Sequence, residues 1–189
     1  MADECSKGFI SVMIVYAIAL MYLGQTHTKF WGYIMLIIAY IFSSGYSFQY
    51  QEQILSGVTT LSQYLNKEVA NIPFISKLGE WSVVSKIFIL FALCIVFFNL
   101  YSLIKILNAY YFKSSKIGSF DLILSDRYKK KLQIFDWSFI VGNVAWFTFI
   151  YYLIAGSATG NKLVLFLIAF ICVWIGLGVA TEFSYIKRE

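Results

Sequence analysis

At 189 residues the chain has the length of one domain, yet 60% of it is hydrophobic, 20% aromatic and only 13% charged, with a mean hydropathy of +0.73. Soluble domains carry roughly 25% charged residues, so a soluble globule is excluded, and with one Pro and so little charge a disordered tail or proline-rich linker is excluded as well. The net charge of +5 would suggest nucleic acid in a soluble protein and has to be judged here by where it falls.

A helix needs roughly 20 mainly apolar residues to cross about 30 Å of hydrocarbon. The first segment of that kind is 8–24, which contains no charged residue. Ala17-Ile18-Ala19 has the small-x-small form of a cleavage site, but the region before it, with Asp3, Glu4 and Lys7, is not positively charged and the apolar run continues to Leu23. An uncleaved helix is expected. The turn that follows holds the only histidine, His27, which without a second His or a paired carboxylate nearby makes no zinc site.

The second span, 30–48, is also free of charge and carries Ala39, Ser43 and Ser47 every four residues, a stripe of small side chains that lets another helix approach closely. In the 49–82 loop, Ile54, Val58, Leu61, Leu65 and Val69 share one helical face, and Gln53, Ser56, Thr60, Gln63 and Lys67 lie opposite. This predicts an amphipathic helix over about 52–70, lying on the membrane surface or capping the bundle. It should end before Asn71-Ile72-Pro73, because proline disfavours helix in the residue before it.

Lys86 and Lys105 bracket the third span, 87–104, and their long side chains can reach the interfaces. Asn99 lies two thirds of the way along it. The 105–131 stretch then begins with 106–112 as a continuation of the third helix, passes through a locally apolar 119–124, and ends in the basic cluster Arg127, Lys129, Lys130 and Lys131. Such clusters attract anionic lipid at about 1 kcal/mol per charge, or an acidic partner. Seven basic residues against two acidic ones make this stretch account for the whole net charge.

Asp136 precedes the fourth span, 137–156, and is expected at the interface as a salt bridge or a cap at the helix start; Asn143 lies a third of the way into the span. Asn99 and Asn143 should both sit nearer the inner leaflet, where they can meet. The fifth span, 163–181, carries a second stripe of small residues: Ala169, Cys172, Gly176 and Ala180. Either stripe can form a seam within the chain or between copies.

With five spans, ten Lys and Arg fall on the side of the 105–131 stretch and five on the other, so the N-terminus is predicted outside and the C-terminus in the cytoplasm. Cys5, Cys94 and Cys172 form no C-x-x-C pair, and no G-x-S-x-G elbow, H-E-x-x-H helix or phosphate loop occurs. No enzyme activity, metal, cofactor or nucleic-acid partner is therefore expected. With 18 Phe, 14 Tyr and 5 Trp, aromatic side chains exceed what two interfacial belts use, so some face lipid or another subunit.

The expected fold is an all-α membrane protein, a single bundle of about five transmembrane helices with an amphipathic helix in the outer 49–82 loop. The expected function is non-catalytic, exerted through protein contacts in the bilayer as an accessory subunit, regulator, or immunity or exclusion factor. The alternative is a subunit of a small oligomeric channel or transporter with Asn99, Asn143, Ser43 and Ser44 along a narrow path. The expected partners are membrane lipids, anionic lipid at the inner face among them, and a membrane protein or a second copy of the chain. The richness in Ile, Phe, Tyr, Lys, Asn and Ser and the absence of any N-x-[ST] sequon point to a bacterial inner membrane.

Overall fold

The computed structural model describes residues 2–25, 28–69, 81–117, 126–155 and 161–184, all but a few turn positions of which are helical. The six helices are α1 (Ala2–Leu23), α2 (Lys29–Gln49), α3 (Gln51–Val69), α4 (Trp81–Ile117), α5 (Asp126–Ile154) and α6 (Asn161–Ser184). Five of them are long and apolar enough to cross a membrane, over Glu4–Leu23, Lys29–Gln49, Leu90–Asn108, Lys129–Ile154 and Lys162–Glu182. That is the predicted number. His27, Asn71-Ile72-Pro73 and the 119–124 stretch lie outside the described residues, as do the side chains of Leu65, Val69 and Arg127.

The helices are longer than the apolar runs within them. No Gly or Pro interrupts 81–117, and at 1.5 Å per residue the 37 residues of α4 extend about 55 Å, well past a 30 Å hydrocarbon layer. α5 likewise begins ten residues before Asp136, because Arg, Lys, Leu and Gln are good helix formers and need no lipid to remain helical. The 105–131 stretch is accordingly not a loop at its two ends: it is helical to Ile117 and again from Asp126.

α1 and α2 form an antiparallel hairpin. Gly24 N–H donates to the Leu20 carbonyl at 3.0 Å and Thr28 Oγ1 to the Tyr22 carbonyl at 2.8 Å, which satisfies free carbonyls at the end of α1. Gly32 makes the crossing possible, since a Cβ there would stand 2.9 Å from the Leu23 backbone nitrogen. α2 and α3 are separated by a single residue, Tyr50. Its N–H donates to the Tyr46 carbonyl at 3.2 Å and its carbonyl accepts from Ile54 N–H at 3.0 Å, so hydrogen bonding carries on round the corner. The Tyr46 and Tyr50 rings, both buried, pack with centroids 4.9 Å apart.

α5 and α6 make the most extensive pairing, followed by α1 with α2 and α4 with α6, while α5 also packs on α1. Tyr40 Oη of α2 donates to the Val96 carbonyl of α4 at 3.0 Å and closes the ring of helices. α3 lies over the end of the ring that carries Gln49, against α5, α4 and α2. Two apolar clusters result. The larger joins α1, α2, α4 and α5 through residues such as Tyr33, Leu36, Leu103, Phe135 and Phe147, and the smaller joins α3, α4, α5 and α6 through Leu61, Ile95, Phe149, Leu153 and Phe166.

Candidate functional site

Two groups of polar residues lie within the bundle, and the first is at the end that carries Lys29. Asp136 is the eleventh residue of α5 and so cannot cap its start, contrary to the sequence expectation of a cap. The ion-pair expectation for the same residue meets a specific geometry: Lys29 Nζ of α2 stands 4.0 Å from Oδ2. Tyr33, one turn further along α2 and fully buried, donates its hydroxyl to Oδ1 at 2.6 Å. A charge-assisted O–H···O⁻ bond of that length is among the stronger contacts a side chain makes. A carboxylate that is only 8% exposed needs such partners, because an unpaired buried charge is costly.

Beside this pair a cleft of about 800 Å³ opens between α1 and α5, bounded by Leu20, Leu23 and Lys29 on one side and by Lys129, Lys130 and Gln133 on the other. Lys131 is not among its walls and pairs with Glu182 of α6 instead. The basic cluster is thus divided. Two of its lysines border the cleft and the third ties α5 to α6.

The second group is halfway along the spans. Asn99 is the tenth of the 19 residues in Leu90–Asn108, and Asn143 the fifteenth of the 26 in Lys129–Ile154. Both stand near the middle of those helical segments. Asn143 Nδ2 donates to the Phe139 carbonyl of its own helix at 2.7 Å and lies 3.5 Å from Asn99 Oδ1, the outer limit for a hydrogen bond. Asn99 Nδ2 and Ser102 Oγ, one turn apart on α4 and both buried, have no hydrogen-bond partner among the described residues. Interhelical polar pairs in membranes average about 0.6 kcal/mol, so a double-mutant cycle of Asn99→Leu and Asn143→Leu is expected to give a coupling of about that size. Unfolding in mixed micelles measures it. Zero coupling would show that the two amides do not interact.

The two stripes of small residues differ in use. Ala169 and Ala180 are fully buried, a Cβ on Gly176 would stand 3.9 Å from the Phe135 ring, and a Cβ on Gly142 of α5 would stand 2.8 Å from Cys172 Cβ. The stripe of α6 therefore forms a seam with α5 inside the chain. In α2, Ala39 is fully buried, but Ser43 and Ser47 are only half-buried and donate to carbonyls of their own helix, Tyr40 O at 2.9 Å and Ser43 O at 2.8 Å. Ser44 is exposed.

Several contacts have no counterpart in the sequence reading. Cys5 Sγ lies 2.8 Å from Tyr46 Oη, which donates to the Cys5 carbonyl at 3.0 Å. Gly57 of α3 lies directly on the backbone of Leu153. A glycine among apolar residues carries no mark of which helix it meets. Among the described residues no three His, Cys, Asp or Glu gather in a metal-binding arrangement. No protein-family model, no curated protein and no solved structure matches the chain.

Proposed function

We propose that the chain is a non-catalytic integral membrane protein that acts through contacts with other proteins in the bilayer, as an accessory subunit, a regulator, or an immunity or exclusion factor. The observation that carries this reading is the contrast between a filled interior and a broad apolar outside. Tyr33, Phe135, Phe147 and Phe149 are buried side chains between the helices, whereas Leu93 and Phe97 of α4 and Ile171 and Trp174 of α6 are each more than half exposed. The host is a bacterial inner membrane, with the Lys29 end of the bundle in the cytoplasm. α3 is an amphipathic cap on the opposite face, with Leu61 turned inwards and Ser56, Thr59 and Thr60 exposed.

A photo-crosslinking residue placed at Phe97 or Trp174, and separately at Phe42 or Trp31 on the other flank, tests the reading in cells. One flank is expected to give a discrete adduct with a second protein. Adducts with lipid or with the chain itself from all four positions would overturn it.

A second reading, a subunit of an oligomeric channel or transporter, is favoured by Asn99 Nδ2 and Ser102 Oγ near mid-span, unpartnered among the described residues, since polar groups at that depth tend to serve a pathway. Ion flux through proteoliposomes distinguishes it, and absence of flux in every oligomeric state removes it.

A further inference from the structure

The cleft beside Asp136 has a gradient of chemistry along its length. Its α5 wall is one helical face, Lys129 and Lys130, then Gln133, then Asp136 and Trp137, then Ile140. From Lys129 to Ile140 that face falls about 16 Å at 1.5 Å per residue. Along it Lys129, Lys130 and Gln133 are exposed and Ile140 is buried, and Leu20 and Leu23 line the α1 side. The third lysine, Lys29, enters from α2. The single acidic wall residue, Asp136, is already engaged by Tyr33 and Lys29, so the lining keeps a net positive charge.

Exposed lysines next to apolar side chains, at the end of a membrane span and with the exposed indole of Trp137 beside them, match an amphiphile with an anionic head. We propose that this cleft seats one anionic phospholipid, its phosphodiester against Lys129, Lys130 and Lys29 and an acyl chain along Leu20, Leu23 and Ile140. A soluble anion would use the lysines and leave the apolar side chains wet. A diffuse basic surface would use Lys131 equally, yet Lys131 is not among the walls of the cleft.

Native mass spectrometry of the whole chain released from nanodiscs of phosphatidylcholine with a minor fraction of phosphatidylglycerol tests the proposal. One phosphatidylglycerol is expected to stay bound. Lys129→Gln with Lys130→Gln should lower its retention roughly thirtyfold, given about 1 kcal/mol for each of the two charges, whereas the charge-matched pair Lys7→Gln with Lys105→Gln should not. Gln133→Trp leaves every charge in place and fills the middle of the cleft, so it should also expel the lipid, and it keeps the test decisive if the lysine variant folds poorly. Millimolar inorganic phosphate should leave retention unchanged. Equal losses from both lysine pairs, full retention by Gln133→Trp, or displacement by phosphate would each overturn the proposal.

Discussion

Gly57→Ala is expected to destabilise the folded protein by about 3 kcal/mol, a large cost for one methyl group, because overpacking a tight contact costs roughly 1–3 kcal/mol and the seat of a helix is lost with it. A Cβ at position 57 would run into the Leu153 carbonyl oxygen and stand 2.9 Å from its carbon and 3.0 Å from Leu153 Cα. All three atoms are backbone of α5. No rotamer change relieves the clash, so α3 has to lift away, taking Leu61 and the half-buried Ile54 and Val58 off Phe149, Ile150 and Leu153. Gly45 supplies the control, since a Cβ there meets nothing within 4 Å, and Gly45→Ala should change stability by no more than about 0.5 kcal/mol. Unfolding by a denaturing detergent, followed by circular dichroism, compares the two. Equal effects would mean that α3 does not rest on α5.

Asp136→Ala is the second substitution with a large expected effect. It leaves the Tyr33 hydroxyl fully buried without the acceptor that stands at 2.6 Å, and deprives Lys29 of its carboxylate. An orphaned buried polar group costs about 1–3 kcal/mol, and more when a charge has lost its partner, so a total of about 2–4 kcal/mol is expected. Tyr33→Phe alone should cost about 1–2 kcal/mol, one charge-assisted hydrogen bond. If the contact is real, the double variant Tyr33→Phe with Asp136→Ala costs clearly less than the two single changes added together. Simple additivity in the same unfolding experiment would remove the pair as a unit.

The spans were legible because hydropathy over some 20 residues is a property of a local window, and nothing in tertiary structure has to be known to read it. Helix limits were less so. The apolar run marks where lipid begins, and α4 and α5 continue as helices beyond it because their flanking residues favour helix on their own account. Of the site, Asp136 could be singled out as a carboxylate near hydrocarbon, but Tyr33 could not, since it lies 103 residues away and is one of 14 tyrosines. The stripe in α6 was readable as a repeat of small residues, whereas Gly142, the residue on α5 that it meets, stands alone in its helix. Ser43 and Ser47 look like the same kind of stripe; both donate to carbonyls of their own helix, and Ser43 also hydrogen-bonds Tyr16 of α1.

The contact between Gly57 and Leu153 also sets an order of events during synthesis. α1 and α2 can pair as soon as both have left the ribosome, but the seat of α3 is translated nearly a hundred residues after α3 itself. At roughly 5–20 residues per second that is an interval of about 5–20 s, through which α3 has α2 and, once it is made, α4 as neighbours but lacks α5, its most extensive contact. α4 waits as well, because its principal neighbour, α6, is made after the other five described helices. Assembly therefore proceeds from a hairpin that forms early to a closure that depends on the C-terminal pair of helices. A nascent chain stalled before α5 would hold α1, α2 and α4 with α3 beside them, lacking its seat on the Leu153 backbone.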